Sequence, residues 1–422
     1  MKSISGIALG MALSLGGLSL VAASPAEAAA QKKDKEAAQG EAKIELSKEE
    51  RAALSTVQGA ITAQNWAAAR AALPAAEAAA VGADAKFYVQ TFRYQIGRGL
   101  QDRQMQMKAM DELIKNPKYP REDLPNLYKQ RGAFANEAGD YETAEWAFEQ
   151  YMGLQPNDHE MLVALAETKH ALDKPQEAVD LLFRAIGMRE QEAAQTGQPV
   201  PENWYKRALA MAYNNKMVPQ SLALSQRLMR HYPTPTNLRD GLLIYRDLSQ
   251  LPDPIYLDWA RLMAAYDALA GERDYFDYAE LANRRALYGE AKSVLDAGIA
   301  ANMIDPDKQH FRELIANVSR RIAGDKAELA KLAAQAAGSA DGTLAFNTAE
   351  AYLGYDDYAK AAELYRLAIQ KGGIDVDAAQ MRLGIALALM GDAAGAEAAF
   401  NAVAGQRDPL ADYWLLYLDQ QG

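Results

Sequence analysis

Between residues 125 and 158 the chain reads PNLYKQRGAFANEAGDYETAEWAFEQYMGLQPND. Apolar side chains return every three or four positions on both sides of Gly139-Asp140-Tyr141, which is the spacing of one apolar stripe on a helix. The stretch therefore predicts two amphipathic helices. Gly139 supplies the stop of the first, and the acidic residue after it favours the start of the second. Pro156 closes the unit. Adding 34 to Ala144 gives Ala178 in LDKPQEAVDLLFRAIGM, where Ala166 takes the place of Gly132, Leu182 that of Phe148 and Ala185 that of Tyr151. The register continues. Trp204-Tyr205 opens a unit with Ser221 at the small position and Pro233 at its end. Tyr288-Gly289-Glu290-Ala291 begins a second helix that ends before Pro306. Asp357-Tyr358 with Ala361, Tyr365 and Ala368 marks another unit, and Gly384, Gly391-Asp392, Ala396 and Phe400 mark the last clear one.

Weaker copies fill the gaps. Asn65-Trp66 with Ala69 suggests a unit near 50–83, Pro117 ends one near 86–119, and Gly241 with Leu251-Pro252-Asp253-Pro254 suggests one near 234–267. Gly324-Asp325 is expected to split a helix pair near 309–341. Gln191 to Pro201 inserts roughly ten residues into the period and reads as a loop between units. The expected organisation is degenerate repeats over 47–120, clear repeats over 121–235, degenerate repeats over 236–341, further repeats over 342–408 and a capping helix over 409–422. A stack of repeats needs such a cap because its end unit has an unpaired face.

The unit at 125–158 resembles the tetratricopeptide repeat family: Gly132 matches the small residue of its first helix, Ala144 that of its second, Phe148 the aromatic that follows and Pro156 the terminating proline. The resemblance implies an all-α fold, a right-handed superhelical solenoid of antiparallel helix pairs. An unrelated bundle of Ala-rich helices is the alternative. The resemblance also implies that the first helix of each unit lines a concave groove. Carried onto this chain it selects Asn126, Lys129, Asn136, Glu167, His170, Tyr205, Leu209, Tyr213, Phe346 and Glu350 as partner-binding positions. Lys129 fits one position of the family's carboxylate clamp, but Ala133 and Ala164 stand where Asn is required, so that clamp is not expected.

The chain opens MKSISGIALGMALSLGGLSLVAASPAEAAA. A positive start at Lys2, an apolar run from Ile7 to Ala22 and the Ala26-Glu27-Ala28 site make residues 1–28 read as a secretory signal peptide, with cleavage expected after Ala28 and Ala30 as the second choice. The run is shorter than the roughly 20 residues that a membrane span needs, and no Cys follows it for lipid attachment. A periplasmic or secreted location is expected, with no membrane insertion after cleavage. Residues 29–46 mix charges with Ala, Gln and Gly and read as a flexible linker.

Composition narrows the function. Hydrophobic residues make up 50%, Ala carrying much of it, and Tyr (21) outnumbers Phe (9), which favours packed helices over a sheet core. A net charge of −11 disfavours nonspecific binding to nucleic acid or anionic membranes. There is no Cys, so no disulfide or thiolate site. The four His (His159, His170, His231, His310) form no pair at metal-binding spacing, and no metal or cofactor is expected. No phosphate-binding glycine loop and no nucleophile elbow occurs. Paired acids such as Glu49-Glu50 and Asp356-Asp357 read as helix starts, and Asp274-Tyr275-Phe276-Asp277-Tyr278 as repeat packing. The sequence thus predicts a scaffold or adaptor rather than an enzyme, binding another protein or peptide in the envelope, with self-association left open. A helical-solenoid envelope enzyme and a small-ligand carrier are the competing readings.

Overall fold

The computed structural model describes residues 44–421, and among these twenty α-helices occur and no strand. The expected signal peptide (1–28) and most of the expected linker (29–46) lie outside the described residues. The chain divides into two compact units, the first ending at Leu127 and the second beginning at Tyr128.

The first unit holds two hairpins, α1 (Lys48–Thr62) with α2 (Trp66–Ala79) and α3 (Ala83–Gly99) with α4 (Arg103–Lys115). Their turns share one device. Gln64 and Gln101 adopt left-handed backbone (φ 54° and 56°), and the next residue, Asn65 or Asp102, caps the following helix by accepting a hydrogen bond from the N–H three positions on, at 3.1 Å and 2.9 Å. Glu50 ties the two hairpins together. Its carboxylate accepts from the Ser47 N–H at 2.7 Å in a reciprocal capping box, and from the Val81 and Gly82 N–H groups at 2.9 and 3.0 Å. Hydrogen bonds from Gly82, then Ser47 and Val81, hold its pKa down at about 2, against an ordinary 4.5. A depressed carboxylate contributes stability above its unfolded pKa and loses it as pH falls through the folded one. The stability gap between the wild type and Glu50→Gln is therefore expected to be full above about pH 4.5 and to close towards pH 2. Urea titrations across that range check it, and a pH-independent gap would remove Glu50 from the acid response.

The second unit begins inside α5 (Leu124–Glu137), followed by α6 (Tyr141–Leu154). Two further hairpins follow, α7 (His159–Ala171) with α8 (Pro175–Thr196) and α9 (Glu202–Asn214) with α10 (Val218–His231). Then come α11 (Pro235–Ser249), α12 (Asp253–Ala265), α13 (Glu272–Arg284), α14 (Tyr288–Ala300), α15 (Gln309–Gly338), α16 (Thr343–Gly354), α17 (Tyr358–Lys371), α18 (Val376–Met390), α19 (Ala393–Phe400) and α20 (Asp408–Gln421). Pairs α13/α14, α16/α17 and α18/α19 repeat the hairpin. The turns at Gly139 and Gly391 use glycine for the left-handed position (φ 76° and 86°), with Asp140 and Asp392 as caps. Small residues sit where helices of a pair meet. A Cβ on Gly132 would overlap the ring of Phe148, and one on Gly384 the ring of Phe400.

Three features depart from the expected repeat. First, α15 runs unbroken through Gly324-Asp325, where a split pair was expected. Gly324 faces open space, and one interior glycine costs only about 1 kcal/mol in a helix otherwise rich in Ala. Second, most of the Gln191–Pro201 insertion is helix: α8 continues to Thr196, where Gly197 (φ 72°) stops it. Glu192 fastens the added turns, 2.8 Å from His159 Nε2, and Glu190, just before them, accepts from the Tyr205 hydroxyl at 2.8 Å. Third, α12 is not a one-faced helix. Leu257, Asp258, Trp259, Ala260, Arg261, Leu262 and Met263 are buried in unbroken succession, a pattern that requires neighbours all round. Helix α20 packs on α19 and α18 and also reaches back to α10. The Tyr413 hydroxyl lies 2.5 Å from Ser225 Oγ, and Gln420 Nε2 donates to the Met229 carbonyl at 2.9 Å. The segment from α10 to α20 thus closes on itself around α12.

Candidate functional site

Among the positions expected to line a groove, the structure brings Leu209 and Tyr213 together in one cleft. It lies between α9, α10 and α11 and encloses about 410 Å³. Leu209, Leu228, Leu243 and Ile244 form an apolar floor, with Lys206, Asn214, Asp240 and Asp247 around the rim. Tyr213 stands 36% exposed at its edge. The amphipathic pattern of α9 places Leu209 inward and Tyr213 one turn further on the same wall. Asn237 at the base is buried, its amide donating to Glu202 Oε1 at 2.9 Å and to the Tyr232 carbonyl at 2.8 Å. These bonds fix the start of α11 against α9. Lys206 pairs with Glu202 at 2.8 Å and Asp247 with Arg246 at 2.9 Å.

Other expected positions are exposed but lie outside this cleft. Asn126, Lys129 and Asn136 stand on α5, Glu167 and His170 on α7. Lys129 is engaged by its own chain, 3.8 Å from Asp158 Oδ2 and 5.7 Å from the Tyr151 ring centroid. Glu167 pairs with Arg207 of α9.

Three positions need correction. Tyr205 is not a wall residue: it is fully buried, stacks on His231 at 5.5 Å and donates its hydroxyl to Glu190. Burial and then the Glu190 carboxylate push its pKa well up. Phe346 and Glu350 face inward, but α12 and its neighbours fill that space. The Arg382 guanidinium covers the Phe346 ring at 5.2 Å. Glu350, 5% exposed, receives the Tyr365 hydroxyl and lies 3.2 Å from Arg382 Nη1 and 3.7 Å from Arg261 Nη2.

Glu350 belongs to a buried ionic cluster that sequence reasoning missed. Arg261 of α12 makes a bidentate pair with Glu290 of α14 at 2.7 and 2.8 Å, and reaches Asp258 at 3.1 Å. Tyr278 also donates to Glu290 at 2.7 Å. Asp258, with no exposed surface, receives Arg382 Nε at 3.1 Å, and Arg407 Nε lies 3.4 Å away. Burial opposes the Arg261 charge, but Glu290, Glu350 and Asp258 outweigh it, and its pKa lies well above the ordinary guanidinium value. Three buried carboxylates face three guanidinium groups, of which Arg407 also pairs with the exposed Asp375 at 2.9 Å, and the cluster ties α12, α14, α16 and α18 together. Its charged residues sit at ordinary helical spacing, and nothing local distinguishes them from surface ion pairs. Tyr275 and Tyr278, read as packing, are buried at 8% and 4% exposure.

Among the described residues no group of three or more His, Asp or Glu is placed to hold a metal ion, and no helix is long and apolar enough to cross a membrane. The repeated hairpin, with a small residue beneath an aromatic ring sixteen positions later at Gly132/Phe148 and Gly384/Phe400, defines an all-α helical-repeat protein of tetratricopeptide-like fold. No protein-family model matches the chain, and no curated protein sequence matches it. Solved structures similar to it include a tetratricopeptide repeat protein from Parabacteroides merdae (14% identity, covering 63% of this chain and 99% of that one, TM-score 0.26). Another is the TPR2AB domain of yeast Sti1 in complex with pHSP90 (12% identity, 71% and 100% covered, TM-score 0.25). A third is the C-terminal part of a TPR repeat-containing protein from Cytophaga hutchinsonii (12% identity, 70% and 98% covered, TM-score 0.28).

Proposed function

We propose that the chain is a protein-interaction scaffold of the cell envelope that grips an apolar segment of a partner protein in the α9–α11 cleft. One observation carries this reading: a half-exposed Tyr213 beside an apolar floor inside a polar rim, the make-up of an anchor site for a partner side chain. The buried charges around α12 pair chiefly with one another, the arrangement of fasteners between helices. The leader supports export, and the envelope is where such a partner would be met.

The test is capture of partners from envelope extract by the wild type and by Tyr213→Ala. Tyr213 is exposed, so the variant keeps its fold, whereas Tyr205→Ala would open a core cavity and is unsuitable. A specific partner recovered by the wild type and depleted at least tenfold by Tyr213→Ala is expected. Equal recovery by the variant would place the binding surface elsewhere.

A further inference from the structure

The first unit has a concavity of its own. It encloses about 560 Å³ between the end of α2, the first turns of α3 and the end of α4, within the size range of small-molecule sites. Its charged and amide lining is Glu77 from α2, Lys86, Gln90 and Arg93 from α3, Glu112 and Lys115 from α4, which lie 3.7 Å apart, and Asn116 just after it. Arg93 forms the base and is 8% exposed. Its Nη1 donates to Gln90 Oε1 at 2.5 Å and its Nη2 pairs with Glu77.

This guanidinium differs from the two buried in the second unit. Arg261 and Arg382 each face two or more buried carboxylates, which more than offset burial. Arg93 has one half-buried carboxylate and a neutral amide. Burial leaves its pKa below the ordinary guanidinium value even with Glu112 nearby. A buried cation so lightly compensated, facing an open space, is suited to a further anionic group. The lining as a whole holds three cations (Lys86, Arg93, Lys115) and two carboxylates (Glu77, Glu112). A dianion would meet both carboxylates, and a simple amine would meet three cations. A molecule carrying one charge of each sign pairs with both sets.

We propose that this concavity binds a small zwitterion, the α-carboxylate and α-ammonium of a free amino acid or short peptide, with the carboxylate at Arg93 and Lys86 and the ammonium at Glu112. Val89 and Pro117 supply the apolar wall for its side chain. The site is independent of the α9–α11 cleft, and Tyr213→Ala leaves it intact.

Isothermal titration of the purified full chain with L-alanine and with L-alanyl-L-alanine tests it. Saturable binding of at least one is expected, and the tighter of the two identifies the source of the zwitterion. Acetylating the amine or amidating the carboxylate is expected to weaken binding at least tenfold. Lys86 and Glu112 are exposed, so Lys86→Met and Glu112→Gln keep the fold, which circular dichroism verifies. Each is expected to weaken the uncapped ligand at least tenfold, and Glu112→Gln should leave the N-acetyl ligand unaffected. No saturable heat with either zwitterion, equal binding of the capped forms, or full affinity in both variants would overturn the proposal.

Discussion

Asp258→Ala is expected to destabilise the second unit by about 3–5 kcal/mol, because it leaves buried cations without their shared carboxylate. Asp258 has no exposed surface and faces Arg261, Arg382 and Arg407 at 3.1, 3.1 and 3.4 Å. With it gone, two fully enclosed guanidinium groups retain only Glu290 and Glu350 as buried partners. Arg382 is the more affected, since its Nη2 already lacks a hydrogen-bond partner. Urea unfolding followed by linear extrapolation measures the loss. A double-mutant cycle with Arg382→Met should show a coupling energy above about 1 kcal/mol, because the two side chains share one network. A loss below about 1 kcal/mol for Asp258→Ala would show the cluster to be hydrated and weak.

The second large effect is expected at Trp414. This side chain is fully buried in α20, stacked on Phe400 at 5.6 Å with the rings 18° apart, and edge-on to Tyr417 at 5.6 Å. Its indole nitrogen has no hydrogen-bond partner, so its contribution is packing alone. Trp414→Ala should cost about 3–5 kcal/mol, the transfer term plus the cavity left behind. Trp146, 43% exposed on α6, provides the internal comparison: its removal should cost well under half as much. Thermal and urea unfolding of the two variants compare them, and equal losses would mean that α20 is not seated as described.

The hairpins were legible wherever side-chain size and spacing carried the information. Gly132 could be assigned to a close helix approach because Phe148 follows at the right distance, and Gly384 with Phe400 repeats that relation. The turn residue was a poor guide: the left-handed position is Gln64 or Gln101 in weak units, but also Asp173, Lys216 and Asp356 in clear ones. Gly324 shows the opposite error, a marker without a turn. The site was less legible than the fold. Leu209 and Tyr213 follow from position on α9, but the other wall of their cleft, Leu243 and Ile244 of α11, could be found only from tertiary packing. Tyr205 looked exposed because its hydroxyl partner, Glu190, comes from another helix, at the point where α8 runs on into the insertion. Glu350 looked available because Arg261 and Arg382, which engage it, come from other helices and nothing near Glu350 in the sequence points to them.

The return of α20 to α10 also sets an order on biosynthesis. Ser225 and Tyr413 are 188 positions apart, so that seam cannot form until synthesis has passed residue 413. The early hairpins use neighbours a few dozen residues away and can fold as they emerge. Of the later helices, α10, α18 and α19 must wait with the faces that α20 covers exposed until residues 408–421 arrive. A chain halted before residue 408 would therefore leave the ribosome as a client for chaperones.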